Sequence, residues 1–234
     1  MASYAVEQCS ILLIYRGQVD VKERQQQERE AITRSILDAA RTLFVAEGYR
    51  NVSIRKIAER VGYSPAAIYS YFDSKDDIFL ALAEEGFHML FQSGVCAREA
   101  QSDAEPVHCI RSAFLDLYEF SKAHPEYHAL MFLDRSVPRI SKDWQRFQFV
   151  REMRAQLNAL IENAIARGDF PAGSSPEMIV SVLMAAVQGV STMRLCDRLT
   201  PGDDADALAY ATLEAALTGL RAGFQHSYVP ARCE

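Results

Sequence analysis

Between Gly48 and Asp77 the sequence starts a helix three times within thirty residues. Ser53, Ser64 and Ser74 each stand where a hydroxyl can accept a bond from a free N–H of a first helical turn. Pro65 takes a first helical position, where a missing N–H costs nothing. Gly62 ends the first of these helices, and only two residues separate it from Pro65. Ile54, Ile57, Ala58 and Val61 recur at helical spacing, as do Ile32, Ile36, Ala39, Ala40, Leu43 and Phe44 upstream of Gly48. Ser74 and Asp77 have the spacing of a capping box, and a longer helix is predicted from there through about Arg98. A chain punctuated this way is committed to short helices packed at close quarters.

The same grammar runs to the end. Prolines at 106, 125, 138, 171, 176 and 201 break the chain, and helices are predicted near 106–123, 126–135, 142–167, 176–197 and 204–222. No alternating strand pattern stands out, so the fold class is all-α. Residues 1–21 show no clear helical period. The expected division is an N-terminal extension or arm at 1–27, a three-helix domain with a helix-turn-helix at 28–75, and a larger helical domain at 76–234. Net charge is −6, unevenly spread: residues 22–75 hold ten Lys/Arg against seven Asp/Glu, and 76–234 hold 14 against 22. That asymmetry suits a basic binding module on an acidic body. Five scattered cysteines without a C-x-x-C pair point to reduced thiols, away from a disulfide framework or structural zinc. The most apolar run, Met178 to Met193, reads as too short and too polar to span a bilayer, so no membrane partner and a cytoplasmic location are expected.

Two short helices joined by a tight, glycine-containing turn after a longer helix make a helix-turn-helix. With Ile68 and Phe72 turned inward at about 100° per residue, Ala66 and Ser70 point away, flanked by Ala67 and Tyr69. A solvated face would carry Lys, Glu or Gln there. Small side chains instead let a backbone approach a groove, alanine methyls can meet thymine methyls, and tyrosine hydroxyls can bond phosphates. Lys75 in a first turn opposes the helix dipole by about 0.3–1 kcal/mol, so an outside anion is expected to hold it.

The stretch "ILDAARTLFVAEGYRNVSIRKIAERVGYSPAAIYSYFDSKDDIF" resembles the DNA-binding domain of the TetR family of bacterial transcriptional regulators. The A-x-x-L-F-x-x-x-G-Y segment, the I-A-x-x-x-G turn and the I-Y-x-Y-F-x-S-K-x-x-I finish carry the resemblance. It implies a homodimer of all-helical subunits, a double-stranded, palindromic DNA operator, and a C-terminal domain that binds a small-molecule effector and dimerises. A repressor released by its effector is the expected sense. Carried over, Ser53 caps the second helix and touches phosphate, and Arg55 stands where some relatives reach a base edge. Ser64, Ala66 and Ala67 face bases, while Tyr69, Tyr71 and Lys75 hold the backbone. Two alanines on the reading face leave few donors, so Arg55, an arm around Lys22 to Arg29 and DNA deformability must add specificity.

Eight aromatics fall between Ile110 and Val150. They suit either a core or an apolar cavity; the resemblance favours a cavity. The candidate effector residues are Phe114, Tyr118, Met131, Phe132, Trp144, Phe147 and Met184, with an apolar or aromatic effector. For a dimer interface, "MIVSVLMAAVQGVSTM" is apolar almost all round, and Ala207, Ala211, Ala215, Gly219 and Gly223 recur every four residues. A ridge of small residues allows close helix crossing, and Val182, Ala186, Val190, Ala211, Ala215 and Gly219 are the candidates. No metal or cofactor is expected: His124 and His128 flank Pro125 without a third ligand. No G-x-G-x-x-G, P-loop, G-x-S-x-G or H-E-x-x-H motif supports an enzyme. The alternatives are an uncharacterised enzyme or a helical interaction protein whose helix-turn-helix is only structural; salt-dependent, sequence-selective DNA binding separates them from a regulator.

Overall fold

The computed structural model describes residues 2–93, 105–138 and 144–223. Nine α-helices make up the described residues: α1 (Ala2–Glu47), α2 (Ile54–Val61), α3 (Pro65–Tyr69), α4 (Lys75–Ser93), α5 (Pro106–Ala123), α6 (Pro125–His128), α7 (Gln148–Ala166), α8 (Pro176–Leu195) and α9 (Ala205–Arg221). No strand occurs among them, as the helical punctuation predicts.

The chain folds as two compact units, 1–78 and 79–234, and the boundary falls inside α4. In the first unit, Ile36, Ala40, Leu43 and Phe44 of α1 are buried together with Tyr49, Val52, Ile54, Ile57, Ala58, Ile68 and Ile78. The expected N-terminal extension is helical, because α1 begins at Ala2 and runs unbroken for 46 residues. Residues 2–21 contain one glycine and no proline, so nothing interrupts the hydrogen-bond ladder even where no apolar stripe advertises it. The arm imagined around Lys22 to Arg29 is therefore part of a helix, with its side chains exposed.

In the second unit, α5, α7, α8 and α9 share a core of Ile110, Phe114, Tyr118, Ile161, Leu183, Val187, Leu213 and their neighbours. Polar ties cross between α5 and α9. Arg111 pairs with Glu214, and Asp206 accepts from Tyr118 Oη at 2.8 Å and from Lys122 Nζ at 3.0 Å. Two predicted helices come out differently. The segment expected at 126–135 is one turn of α6 followed by a π-helical stretch, Ala129–Leu133, closed by the bond from Asp134 N to Ala129 O at 3.0 Å. The segment expected from 142 begins as a 3-10 turn, Trp144–Arg146, and becomes α-helical only after Phe147, while residues 142 and 143 lie outside the described residues. Residues 94–98, the expected tail of α4, also lie outside them.

At 20 residues, α8 is long and apolar enough on composition alone to cross a membrane, which corrects the expectation drawn from its length. Its packing argues for a core helix. Ile179, Val180, Leu183, Val187 and Val190 are buried against the other helices of the unit, Gln188 and Arg194 bond to protein partners, and Ser191 is wholly buried.

Candidate nucleic-acid interface

The turn between α2 and α3 is built by local rules. Ser53 Oγ accepts from Lys56 N at 3.3 Å and Ser64 Oγ from Ala67 N at 3.2 Å, caps worth about 1 kcal/mol each. Gly62 closes α2 in the left-handed region at φ 75°, where any side chain would be strained. Ile68, wholly buried, anchors α3, a burial worth about 1.5–3 kcal/mol. The anchor sets the outward face: Ser64, Pro65, Ala66 and Tyr69 are exposed, Ala67 is half-buried, and Tyr69 keeps 53% of its surface.

Helix α3 is shorter than the predicted Pro65–Phe72. Tyr71 N and Phe72 N both bond to Ile68 O, at 2.9 and 3.1 Å, so the chain unwinds into a turn after Tyr69. Phe72 is half-buried where Ile68 is wholly buried, so of the expected inward pair only Ile68 is a core residue. Ser70 spends its hydroxyl on Ala67 O at 2.6 Å. A tie invisible in the sequence holds this end: Arg29 Nη2 of α1 donates to Ser70 O at 3.1 Å, and its guanidinium lies 5.0 Å from the Tyr71 ring centre.

Two cations are already engaged. Arg55 is exposed and pairs with Glu59 one turn on, Nε to Oε1 3.0 Å. Lys75 turns into its own unit. Its Nζ donates to Tyr49 O and Val52 O, both at 2.9 Å, and sits 4.1 Å from the Tyr49 ring centre. Burial pushes the pKa of this ammonium below the usual lysine value. Lys75 therefore does not require an outside anion to compensate its place in a first helical turn, since two carbonyls and a ring already do so. Around it, Ser74 Oγ accepts from Asp77 N at 3.2 Å, the cap half of the expected box, and donates to Asp77 Oδ2 at 2.6 Å, while Tyr49 Oη donates to Asp76. Tyr63, 42% exposed beside the turn, was not among the sequence candidates, although its position next to Gly62 marks it as a surface phenol.

The effector candidates divide. Phe114 and Tyr118 are buried in the common core, and Phe147 is buried too. Met131, Phe132 and Met184 are half-buried, and the side chain of Trp144 lies outside the described residues. Burial and the bond to Asp206 raise the Tyr118 pKa far above the ordinary phenol value, so the hydroxyl stays protonated. His124 and His128 go separate ways: the first ring lies against Phe120 at 5.3 Å, and the second bonds Gln188. No cluster of three metal-ligating residues occurs among the described residues.

Of the interface candidates, Val190 needs correcting, since it is buried in the core of its own subunit. Val182, Ala186 and Gly219 are half-buried, and Ala211 and Ala215 are exposed. They belong to an open apolar strip that includes Met178 at 49% and Met193 at 39% on α8, and Tyr210 at 53% on α9. Of the cysteines, Cys109 is buried and Cys196 exposed, neither of them in a disulfide; Cys96 and Cys233 lie outside the described residues.

Comparison with known proteins bears on the first unit most directly. Residues 36–82 match the family described as bacterial regulatory proteins, tetR family. The chain is 34% identical over 93 residues to the HTH-type transcriptional repressor AcnR of Corynebacterium diphtheriae, covering 40% of this chain and 41% of that protein. It is 32% identical over 120 residues to the nucleoid occlusion factor SlmA of Glaesserella parasuis, covering 49% and 55%. The chain thus spans about half the length of these two relatives. Among solved structures, the regulator FadR of Bacillus subtilis in complex with stearoyl-CoA superposes with a TM-score of 0.66 at 18% identity, over 79% of this chain and 97% of that one, a likeness of fold. Helix-turn-helix geometry and matched sequence together make residues 36–82 a domain of the tetR family of bacterial regulatory proteins.

Proposed function

We propose that this protein is a dimeric, ligand-responsive DNA-binding regulator that acts as a repressor in the cytoplasm and leaves a palindromic operator when a small effector binds its second unit. The observation that carries the reading is the outward face of α3: small, uncharged and exposed around Ala66, while Ile68 behind it is wholly buried. Such a face gains nothing from water and suits close approach to base edges. Ser64, Ala66 and Ala67 read the major groove. Ser53, Tyr69 and Tyr71 position the phosphate backbone, with Tyr63 beside them and the remaining N–H of Lys75 available to a phosphate. Arg55 exchanges Glu59 for DNA. The 1–78 unit serves as the reading head, and the 79–234 unit as the effector and dimer domain. The repressor sense is supported by the likeness to AcnR, a transcriptional repressor, and a small-molecule effector by the stearoyl-CoA bound in the FadR structure.

Selection of bound fragments from the source genome, followed by binding measurements on the recovered site, tests this reading. The wild-type chain is expected to enrich a palindromic sequence, and Ala66→Glu to lose at least a hundredfold in affinity for it while keeping its helical content and melting temperature. Binding without sequence preference, or retained affinity in Ala66→Glu, overturns it in favour of a helical interaction protein or another reading surface.

A further inference from the structure

Inside the second unit runs a row of polar atoms that the fold itself leaves without partners. His128, at the end of α6, is wholly buried, and its Nε2 lies 2.7 Å from Gln188 Oε1 on α8. Its other ring nitrogen, Nδ1, has no hydrogen-bond partner among the described residues. The same is true of Gln188 Nε2, Ser191 Oγ and Arg194 Nε, with Ser191 also wholly buried. Gln188, Ser191 and Arg194 follow one another at i, i+3 along α8, so each is the neighbour of the next. Arg194 Nη2 donates to Ser121 O at 2.6 Å, yet among the described residues no carboxylate lies within ion-pair distance of the guanidinium.

Beside this row stands an aromatic wall. The Phe132 ring is 5.0 Å from that of His128 and 5.9 Å from Phe87, which is 5.1 Å from Phe149. His128 and Phe132 meet across the π-helical stretch, a geometry frequent at functional sites. A buried orphan of this kind is destabilising, and native folds seldom gather several without a partner that fills them.

The chemistry of the row selects its partner. The Gln188 amide, the Ser191 hydroxyl and Arg194 Nε–H are donors. With Nε2–H donating to Gln188 Oε1, Nδ1 of His128 is an acceptor, the assignment that the bond itself favours. Burial and the neighbouring Arg194 charge hold the His128 pKa below the ordinary imidazole value, so the ring is neutral at pH 7. The donors thus carry one positive charge, on Arg194.

We propose that this row is the polar end of the effector site and that it takes a monoanionic carboxylate borne on an apolar, ring-containing skeleton. The carboxylate accepts from Arg194, Ser191 and Gln188, the rings of the skeleton pack against Phe132, Phe87 and Phe149, and a hydroxyl on the skeleton satisfies His128 Nδ1. This deepens the regulator reading above, because an occupant here is the effector that reading requires.

Calorimetry on the full chain with matched pairs tests it: 2-naphthoate, 3-hydroxy-2-naphthoate and dodecanoate, each against its methyl ester. At least one aromatic acid is expected to bind tenfold or more tightly than its ester, and dodecanoate more weakly than that acid. Arg194→Gln is expected to abolish the preference for acid over ester, and Arg194→Lys, which keeps the charge, to retain part of it. Ser191→Ala, which removes only a hydroxyl, is a milder probe and should lower acid affinity several-fold if Arg194→Gln unfolds. Equal binding of acid and ester, no binding by any acid, or a preference that survives both Arg194→Gln and Ser191→Ala overturns the proposal. Operator binding without any acid is measured in parallel. Its loss with acid binding intact counts against the regulator and leaves the site standing.

Discussion

Lys75 shows how a side chain that looks like a contact for DNA can first be a part of the fold. Its ammonium joins the carbonyls of Tyr49 and Val52, which lie 26 and 23 residues earlier, and so fixes the 3-10 turn against the start of α4. Hydrogen bonds from a charged donor are worth about 1.5–3 kcal/mol. Lys75→Met, which keeps the stem and removes the donors, is therefore expected to lower unfolding free energy by about 2 kcal/mol in urea titration. Its remaining N–H allows one phosphate contact, so the slope of log affinity against log salt should flatten by about one unit. An unchanged slope with lowered stability would confine Lys75 to the fold. The serine caps were legible because a cap is a rule between residues three apart, and Ser53, Ser64 and Ser74 all obey it. The partners of Lys75 and Arg29 were not, because they are brought near only by the packing of other elements.

Among the elements, α4 leaves the first unit and enters the second within one continuous helix. There it comes close to the π-helical stretch at Gly86, where an added Cβ would lie 2.5 Å from Met131 Sδ and 3.1 Å from Tyr127 Cδ1. Glycine in a helix interior costs about 1 kcal/mol against alanine, while overpacking costs about 1–3 kcal/mol. Gly86→Ala is accordingly expected to destabilise by about 1 kcal/mol, and Met131→Ala in the same chain to recover more than the separate effects sum to. A more stable single variant in thermal melts would remove the close approach as a constraint. Proline-bounded helices such as Pro106–Ala123 and Pro176–Leu195 were readable to within a few residues, since proline fixes their first turn. The first twenty residues of α1 and the π-helical stretch were not. One lacks a readable stripe, and the other depends on an i→i+5 bond that no composition announces.

At the scale of the whole molecule, exposed apolar residues on α8 and α9 are the basis of the proposed dimer. Met178, Met193, Tyr210, Ala211 and Ala215 are too exposed for a finished core. In the proposed dimer, a two-fold pairing of α8 and α9 with their copies would cover them and join two reading heads on one palindrome. Ala215→Glu places a charge in that seam. It is expected to convert a dimer to a monomer at micromolar concentration in sedimentation velocity, and to reduce operator affinity at least a hundredfold. A variant that remains dimeric would move the interface elsewhere. The sequence showed the small residues on both helices but not which of them point outward, so Val190 was grouped with the wrong side. The π-helical stretch has a last consequence, for comparison across the family. Its bond spans one residue more than an α turn, so a relative with an uninterrupted helix there aligns with this chain only through a one-residue gap near Ala129. Without that gap, every position copied from such a relative beyond Ala129 is rotated by about 100° around the helix, and buried and exposed positions exchange residues on paper.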